Sequence, residues 1–353
     1  MDWRAIAFDR EATDLPANRV RSLALNPVRA ISWIVGSEYY YGAKKHALDK
    51  TAAVELAVRE VEIFHGWSGE SVRSLRECRR RGIPSLIEIP TWHRHKGKDK
   101  PTRLTKSERE RAAAKGWQKF KNGMLVTRQQ MLEEYELADR ILVLSQKAEE
   151  TFLAAGVPKE KLFRHQRGVD VVRFSPAPQP PEKFVAVFVG ALIKRKGVHH
   201  LIDVWRKLAL KDAELVLAGT VHEEIRPLLQ DASSSIRILG FSARIEDVYR
   251  GGAVHIFPSE CEGSAKCTYE AAACGLPQIT TRESGDVVQR EENGLIIPPN
   301  DPDALGAAIL RLYNDRDLCA RLGAAGRARA VGKFTWDHFR TRLLEAYRSL
   351  LAR

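Results

Sequence analysis

The chain has 353 residues, enough for two domains of ordinary size, and its 44% hydrophobic content excludes the disordered and fibrous classes. No apolar run reaches the roughly 18 residues of a membrane span, and the five cysteines (Cys78, Cys261, Cys267, Cys274, Cys319) contain no C-x-x-C pair, which argues against a disulfide framework or a zinc site. The formal charge is +12, and eleven basic against three acidic residues between Arg94 and Lys121 place 11 − 3 = +8 in that one segment.

The start, MDWRAIAFDREATD, is acidic and interrupted rather than signal-like, so a cytosolic protein is expected. Residues 4–8 and 31–35 read as strands around an Asn26-Pro27 turn. A helix over about 43–60 has a rough apolar face of Ala47, Ala52, Ala53, Leu56 and Val58. Alternation then sharpens: a strand over 61–64, a helix over 70–81 and a strand over 85–89 follow the grammar of a parallel sheet. Gly66-Trp67-Ser68-Gly69-Glu70 approaches a nucleophile elbow but lacks its last glycine, which removes the best support for a hydrolase. After Ile89 stands Thr91-Trp92-His93-Arg94-His95, and the ends of parallel strands are where α/β proteins hold ligands. The basic block that follows suits nucleic acid, an anionic membrane surface or an acidic acceptor, or else a solvated loop and helix. With only Trp117 and Phe120 in it, it lacks the aromatic interleaving of a single-strand-binding groove. A helix closing over 133–138, a strand over 141–144, a helix over 146–155 and a strand over 162–164 complete the first unit.

SPAPQPPEK, residues 175–183, is Pro-rich and reads as an interdomain linker. A strand over 184–189 and a helix over 198–208 open a second unit. Between them, Gly190-Ala191-Leu192-Ile193-Lys194-Arg195-Lys196-Gly197 has the wrong glycine spacing for a P-loop. Strands over 214–218 and 236–239, the second followed by Gly240, lead through a helix over 245–250 to a strand over 254–257. The stretch from Ser259 to Pro277 then carries Glu262 and Glu270 eight positions apart, with Gly263-Ser264-Ala265 between them and an Ala-rich helix stopped by Gly275 and Pro277. A strand, a small-residue loop and a helix N-terminus together form an anion site. Glu270, placed in the first turn, would turn toward neutral hydroxyls such as those of a ribose. The plainer alternative makes Glu262 a solvated loop acid and Glu270 a charge favoured by the helix dipole. Beyond lie a strand over 295–297 and helices from 301 and 315. The D-x-D pairs Asp301/Asp303 and Asp315/Asp317 read as helix caps rather than metal clamps. A last helix from Thr335 bears an apolar stripe of Trp336, Phe339, Leu343, Leu344, Tyr347, Leu350 and Leu351.

Glu262, Gly263, Glu270, Ala271, Cys274, Gly275, Leu276 and Pro277 together resemble the E-x7-E motif of the retaining GT-B glycosyltransferases, the family 4-like glycosyl transferases of group 1. The resemblance covers roughly residues 61–347. It implies a GT-B fold of two Rossmann-like α/β domains facing a cleft: 1–176 on the acceptor side, 177–334 binding the nucleotide sugar, and a helix over 335–353 crossing back to the first domain. The implied reaction moves a hexosyl group from a UDP- or GDP-sugar to a glycan, lipid or small-molecule acceptor, with retention, no required metal and no cofactor beyond the donor. In the family a histidine near the corresponding strand end lies beside the reacting sugar, and His93 matches it; Glu262 and Lys196 complete the implied catalytic set. Gly190, Arg195, Lys196, Gly240, Gly263, Ser264, Ala265, Lys266 and Glu270 fall at implied donor positions. Three departures stand out. Ala191 replaces the family's arginine and leaves Arg195 or Lys194 to supply the charge; Gln166-Arg167-Gly168-Val169-Asp170 stands for Pro-Asn-Gly-Val-Asp; and the first twenty residues contain no glycine where the family has a glycine-rich loop. The competing expectations are a non-catalytic nucleotide-sugar or glycan-binding protein, and an epimerase or phosphorylase of the same architecture. A cytoplasmic location, peripheral at the inner membrane face through residues 94–121, is expected, with nucleic acid the more remote partner.

Overall fold

The computed structural model describes residues 4–7, 19–22, 36–93, 106–230 and 235–352. The expected strand over 31–35, the Asn26-Pro27 turn, His95 and the first part of the basic block, residues 94–105, lie outside them. Strands β1 (Ala5–Ala7) and β2 (Val20–Ser22) pair with each other in parallel, apart from the main sheets. After helix α1 (Ser37–Val58) the chain alternates through β3 (Phe64–Trp67), α2 (Val72–Arg81) and β4 (Ser85–Ile89). It continues through α3 (Lys106–Ala113), α4 (Gly116–Asn122), α5 (Arg128–Leu137), β5 (Arg140–Val143), α6 (Gln146–Ala154) and β6 (Leu162–Arg164). The four strands form a parallel sheet in the order β3-β4-β5-β6. Every residue of β4 and β5 is buried, as expected of parallel strands covered on both faces. Leu75, Tyr135 and Phe152 from the helices cover one face with Ile87, Ile89 and Ile141.

The second unit runs β7 (Phe184–Val189), α7 (Val198–Leu208), β8 (Ala213–Ala218), α8 (Arg226–Leu229), β9 (Ile236–Gly240) and α9 (Ile245–Arg250). It goes on through β10 (Val254–Phe257), α10 (Lys266–Ala273), β11 (Gln278–Thr281), β12 (Gly294–Ile297), α11 (Pro302–Asn314), α12 (Arg316–Lys333) and α13 (Trp336–Leu351). Its six strands are parallel in the order β12-β11-β10-β7-β8-β9. Asp301 and Asp315 cap α11 and α12, accepting from the N–H groups of Ala304 and Leu318 at 2.9 and 2.8 Å. α13 leaves this unit and buries Ala346 and Leu350 against Leu86 and Leu142, on the face of the first sheet opposite α6. Each leucine in this contact contributes about 1.5–3 kcal/mol on burial, so the helix fastens the two units together. The crossing from one core to the other falls at Gly168–Val169, ahead of the Pro-rich stretch: Val169 and Phe174 already belong to the second core, and the Val169 N–H donates to Phe334 O at 2.8 Å. Among the described residues no helix is long and apolar enough to cross a membrane.

Two elements differ from the sequence expectation. β3 begins at Phe64, three residues after the expected start, because pairing with Ser85–Ile89 sets its register while Val61 and Ile63 are only partly buried ahead of it. β11 was not expected at all. Its Gln278, Thr280 and Thr281 are polar yet fully buried, each side chain bonded to a neighbouring carbonyl: Thr268 O at 2.9 Å, Phe257 O at 3.0 Å and Ser259 O at 2.5 Å. Paired polar groups cost little to bury, so an interior strand need not be apolar.

Candidate functional site

From β7 the second sheet grows one way to β8 and β9, and from its neighbour β10 the other way to β11 and β12. The winding reverses between β7 and β10, and the crevice outside the carboxyl ends of such strands is where open α/β sheets hold ligands. Residues 190–197 and 258–266 leave the sheet at that point.

Arg195 ties the two loops together. Its carbonyl accepts from the Glu260 N–H at 3.0 Å and from Ser259 Oγ at 3.3 Å; its guanidinium donates to the Cys261 carbonyl and, at 3.1 Å, to Glu262 Oε1. Ser259 Oγ also donates to Glu262 at 3.4 Å. Arg195 therefore holds Glu262, while Lys194 is exposed and its backbone N–H is bonded to Glu224 Oε1 at 2.9 Å. Gly197 closes the turn with φ 70°, and a Cβ there would lie 2.2 Å from Pro258 O, so only glycine allows the approach. Lys196 folds back over β7, its Nζ 5.5 Å from the centre of the Phe257 ring and beside Gly190, where a Cβ would meet it at 3.0 Å.

The loop after β10 is fixed from within. The Glu262 and Ala265 N–H groups donate to the carbonyls of Glu283 and Ser284 at 3.0 and 2.8 Å, and Ser264 Oγ shares a 2.7 Å hydrogen bond with the Tyr269 hydroxyl. α10 then begins at Lys266 with Ala265 at its cap, a residue with no side-chain acceptor. The Lys266 and Cys267 N–H groups lie in the first turn, where no intrahelical acceptor exists, and the helix dipole adds partial positive charge.

Because the helix begins at Lys266, Glu270 lies in its second turn rather than the first. It is 5% exposed; Oε2 accepts from the Tyr249 hydroxyl at 2.9 Å, and Oε1 pairs with Lys266 Nζ at 3.2 Å. Burial pushes the Tyr249 hydroxyl well up, so it stays a donor. Burial likewise pushes up the Cys267 thiol, which also feels the charges of Lys196, Glu270 and Glu262. Gly240 ends β9, two strands away from β7, its carbonyl accepting from the Gly219 N–H at 2.7 Å.

The first unit presses on this loop. A Cβ at Gly263 would lie 2.2 Å from Pro90 O, so the chain following β4 touches it directly. Arg167 Nε donates to Ser264 O at 3.0 Å; the Gln146 N–H at the start of α6 donates to both Asp286 oxygens at 3.0 and 2.8 Å. Lys147 pairs with Glu283 at 3.5 Å and Arg282 with Glu150. His93 stands three residues beyond Pro90. It is 4% exposed, with its ring 4.9 Å from Phe152 and 5.2 Å from Tyr135, and its backbone N–H donates to Thr151 Oγ1 at 2.9 Å. The ring thus packs against the aromatic side chains of α5 and α6. Sequence reasoning missed Tyr249, Arg167 and Ser259. Tyr249 lies 21 positions from Glu270 with no spacing to mark it, and Arg167 was legible only as a departure from a motif.

Two Rossmann-like units with parallel sheets, joined by a returning helix around a cleft, define the GT-B fold. Residues 183–315 match the family described as Glycosyl transferases group 1; the second unit is a domain of that family, and the chain is a homologue of GT-B glycosyltransferases. It is 27% identical over 251 residues to the alpha-maltose-1-phosphate synthase of Mycolicibacterium smegmatis, covering 62% of this chain and 65% of that one. It is 28% identical over 214 residues to a GDP-mannose-dependent monoacylated alpha-(1-6)-phosphatidylinositol monomannoside mannosyltransferase of Corynebacterium glutamicum, covering 53% and 56%. The chain thus spans less than two thirds of the length of these relatives. Among solved structures, Anabaena HepE in complex with UDP superposes with a TM-score of 0.70 at 15% identity, covering 98% of this chain and 100% of that one. Sucrose-phosphate synthase from Thermosynechococcus elongatus gives 0.72 at 20% identity, covering 98% and 86%. At these identities the two structures establish the fold.

Proposed function

We propose that this protein transfers a hexosyl group from a UDP- or GDP-sugar to a glycan, lipid-linked or small-molecule acceptor, with retention, without a required metal, and in the cytoplasm. One observation carries the reading: at the reversal point of the second sheet, an α-helix whose cap has no side-chain acceptor follows the loop that Arg195 ties to the turn carrying Lys196, with Glu270 in its second turn. The first-turn N–H groups and Lys196 suit a diphosphate, and their fixed positive charge would stabilise the leaving group as its charge develops. Glu270 Oε1, whose partner Lys266 is 69% exposed and able to swing away, suits a ribose hydroxyl. HepE binds UDP in its crystal, and the C. glutamicum relative is named for GDP-mannose, which supports a nucleotide-sugar donor. The acceptor would enter from the side of the first unit, past Pro90 and Thr91.

A second reading is a donor-binding protein without transfer activity. Ala191 in the arginine position favours it. Hydrolysis of a UDP- or GDP-sugar without acceptor separates the two: slow turnover supports the transferase, tight binding without turnover the binder. Glu270→Ala tests the donor site common to both. Hydrogen bonds to a charged group are worth about 1.5–3 kcal/mol each, so affinity for the nucleotide diphosphate should fall about tenfold or more by calorimetry. Unchanged affinity removes Glu270 from the site.

A further inference from the structure

α4, in the basic part of the first unit, is docked by one face only. Lys121 Nζ stands 4.8 Å from the centre of the Tyr39 ring on α1, and Gln118 Nε2 donates to the Tyr39 hydroxyl at 3.0 Å. Just beyond the helix, Met124 O lies so close to Gly42 of α1 that a Cβ there would meet it at 2.1 Å. Residues 118 and 121 thus face α1. Residues 117 and 120 are set about 100° round the helix from them, and both are aromatic. Trp117 is 57% and Phe120 58% exposed, their rings stacked 5.1 Å apart at an interplanar angle of 21°. Between Arg111 and Arg128 the chain carries five basic residues and no acidic one, and the side chains of Arg111, Lys115 and Lys119 are exposed.

We infer that α4 is an interfacial anchor that seats on an anionic lipid bilayer, with the Trp117–Phe120 pair entering the boundary between headgroups and acyl chains. An indole with a polar N–H suits that boundary. Lysines on either side of the pair bury their stems and leave the ammonium groups among the lipid phosphates. The exposed apolar patch is small, two stacked rings. A stable protein partner needs roughly 800 Å² from each side, more than two rings and a few lysine stems supply, whereas a bilayer accepts a protruding wedge. This surface lies on the first unit and is independent of the donor reading.

The test uses the whole chain sedimented with vesicles of phosphatidylcholine, with or without phosphatidylglycerol, at low and high salt. The expected result is binding to the anionic vesicles alone, weakening as salt screens the charges. Replacing the pair, Trp117→Ala with Phe120→Ala, should lower partitioning about tenfold or more at low salt. Lys115→Gln with Lys119→Gln should lower it about fivefold per lysine and flatten the salt dependence. Tryptophan emission should shift to the blue on binding, and Trp117→Phe should remove most of that shift. Circular dichroism melts matching the wild type establish that the variants fold. No binding at low salt, equal binding to neutral vesicles, or binding indifferent to loss of the aromatic pair would each overturn the anchor.

Discussion

Two of the helix N-termini that the chain builds at the carboxyl ends of parallel strands are treated in opposite ways. After β3, the start of α2 is occupied by carboxylates of the protein itself. Glu134, from α5, accepts from the Gly69 and Ser71 N–H groups at 2.6 and 2.8 Å; Asp49, from α1, accepts from those of Arg73 and Ser74 at 2.8 and 2.9 Å. Both acids are 1% exposed. After β10, α10 starts behind an alanine, and the nearest buried carboxylate, Glu270, is turned to Tyr249 and Lys266. A positive helix end is therefore not a site in itself. Where the fold supplies its own anion the end is a joint; where it does not, the end is available to a ligand.

The largest effect should come from breaking the joint. Asp49 makes two bonds to backbone N–H groups and a third to Ser74 Oγ at 2.8 Å, so Asp49→Ala strands several buried donors. A loss of about 3–5 kcal/mol in urea unfolding is expected. Under about 1 kcal/mol would mean that α2 is held by its apolar face alone. Glu134→Ala should cost somewhat less at neutral pH, because burial pushes the Glu134 carboxyl up to about 7 despite its two N–H bonds. A carboxyl with a folded pKa above its unfolded value of about 4.3 holds its proton more tightly when folded. Its stabilisation is complete below about pH 4 and is lost as pH rises through 7. The stability of the wild type relative to Glu134→Gln should therefore decline as pH rises from about 4 to 7, while the buried histidines His65, His165 and His255, each pushed down to about 4, act in the opposite sense in both proteins; a difference that does not change with pH would clear Glu134 of this role.

Lys196→Ala examines the opposite end. If the α10 N-terminus and Lys196 share a diphosphate, affinity for UDP or GDP should fall about tenfold or more, roughly 1.4 kcal/mol, while nucleoside affinity hardly changes. Equal losses for both ligands would place the diphosphate elsewhere and remove the functional half of the contrast.

The sequence exposed one end and hid the other for a physical reason. Gly263-Ser264-Ala265 ahead of an Ala-rich helix is a local pattern, and helix α10, the loop after β7 and strands such as Ser85–Ile89 and Val254–Phe257 follow from runs a few residues long. The occupants of α2 come from 24 and 63 residues away, and nothing around Asp49 or Glu134 announces their target. The same distance hid Tyr249 from Glu270 and Arg167 from Ser264. A histidine near a strand end reads alike whether its ring faces a cleft or an aromatic pocket; Tyr135 and Phe152, against which the His93 ring packs, lie on later helices.

The smallest effect comes from converting one kind of end into the other. Ala265 has φ −72° and ψ 121°, the extended backbone usual for an N-cap, so a serine there needs no change of backbone. Its hydroxyl would accept from an N–H in the first turn of α10, supplying the partner that Asp49 and Glu134 supply to α2. A serine cap is worth about 0.5–1 kcal/mol over alanine. Ala265 is 4% exposed, so the added oxygen must fit a tight place, and the gain belongs at the lower end of that range. Ala265→Ser should therefore raise the urea midpoint slightly and lower affinity for UDP or GDP, as the hydroxyl competes with phosphate for the same N–H. Greater stability with undiminished nucleotide binding would show that the first turn of α10 is not where the phosphate sits, and the two helix ends would then differ in capping alone.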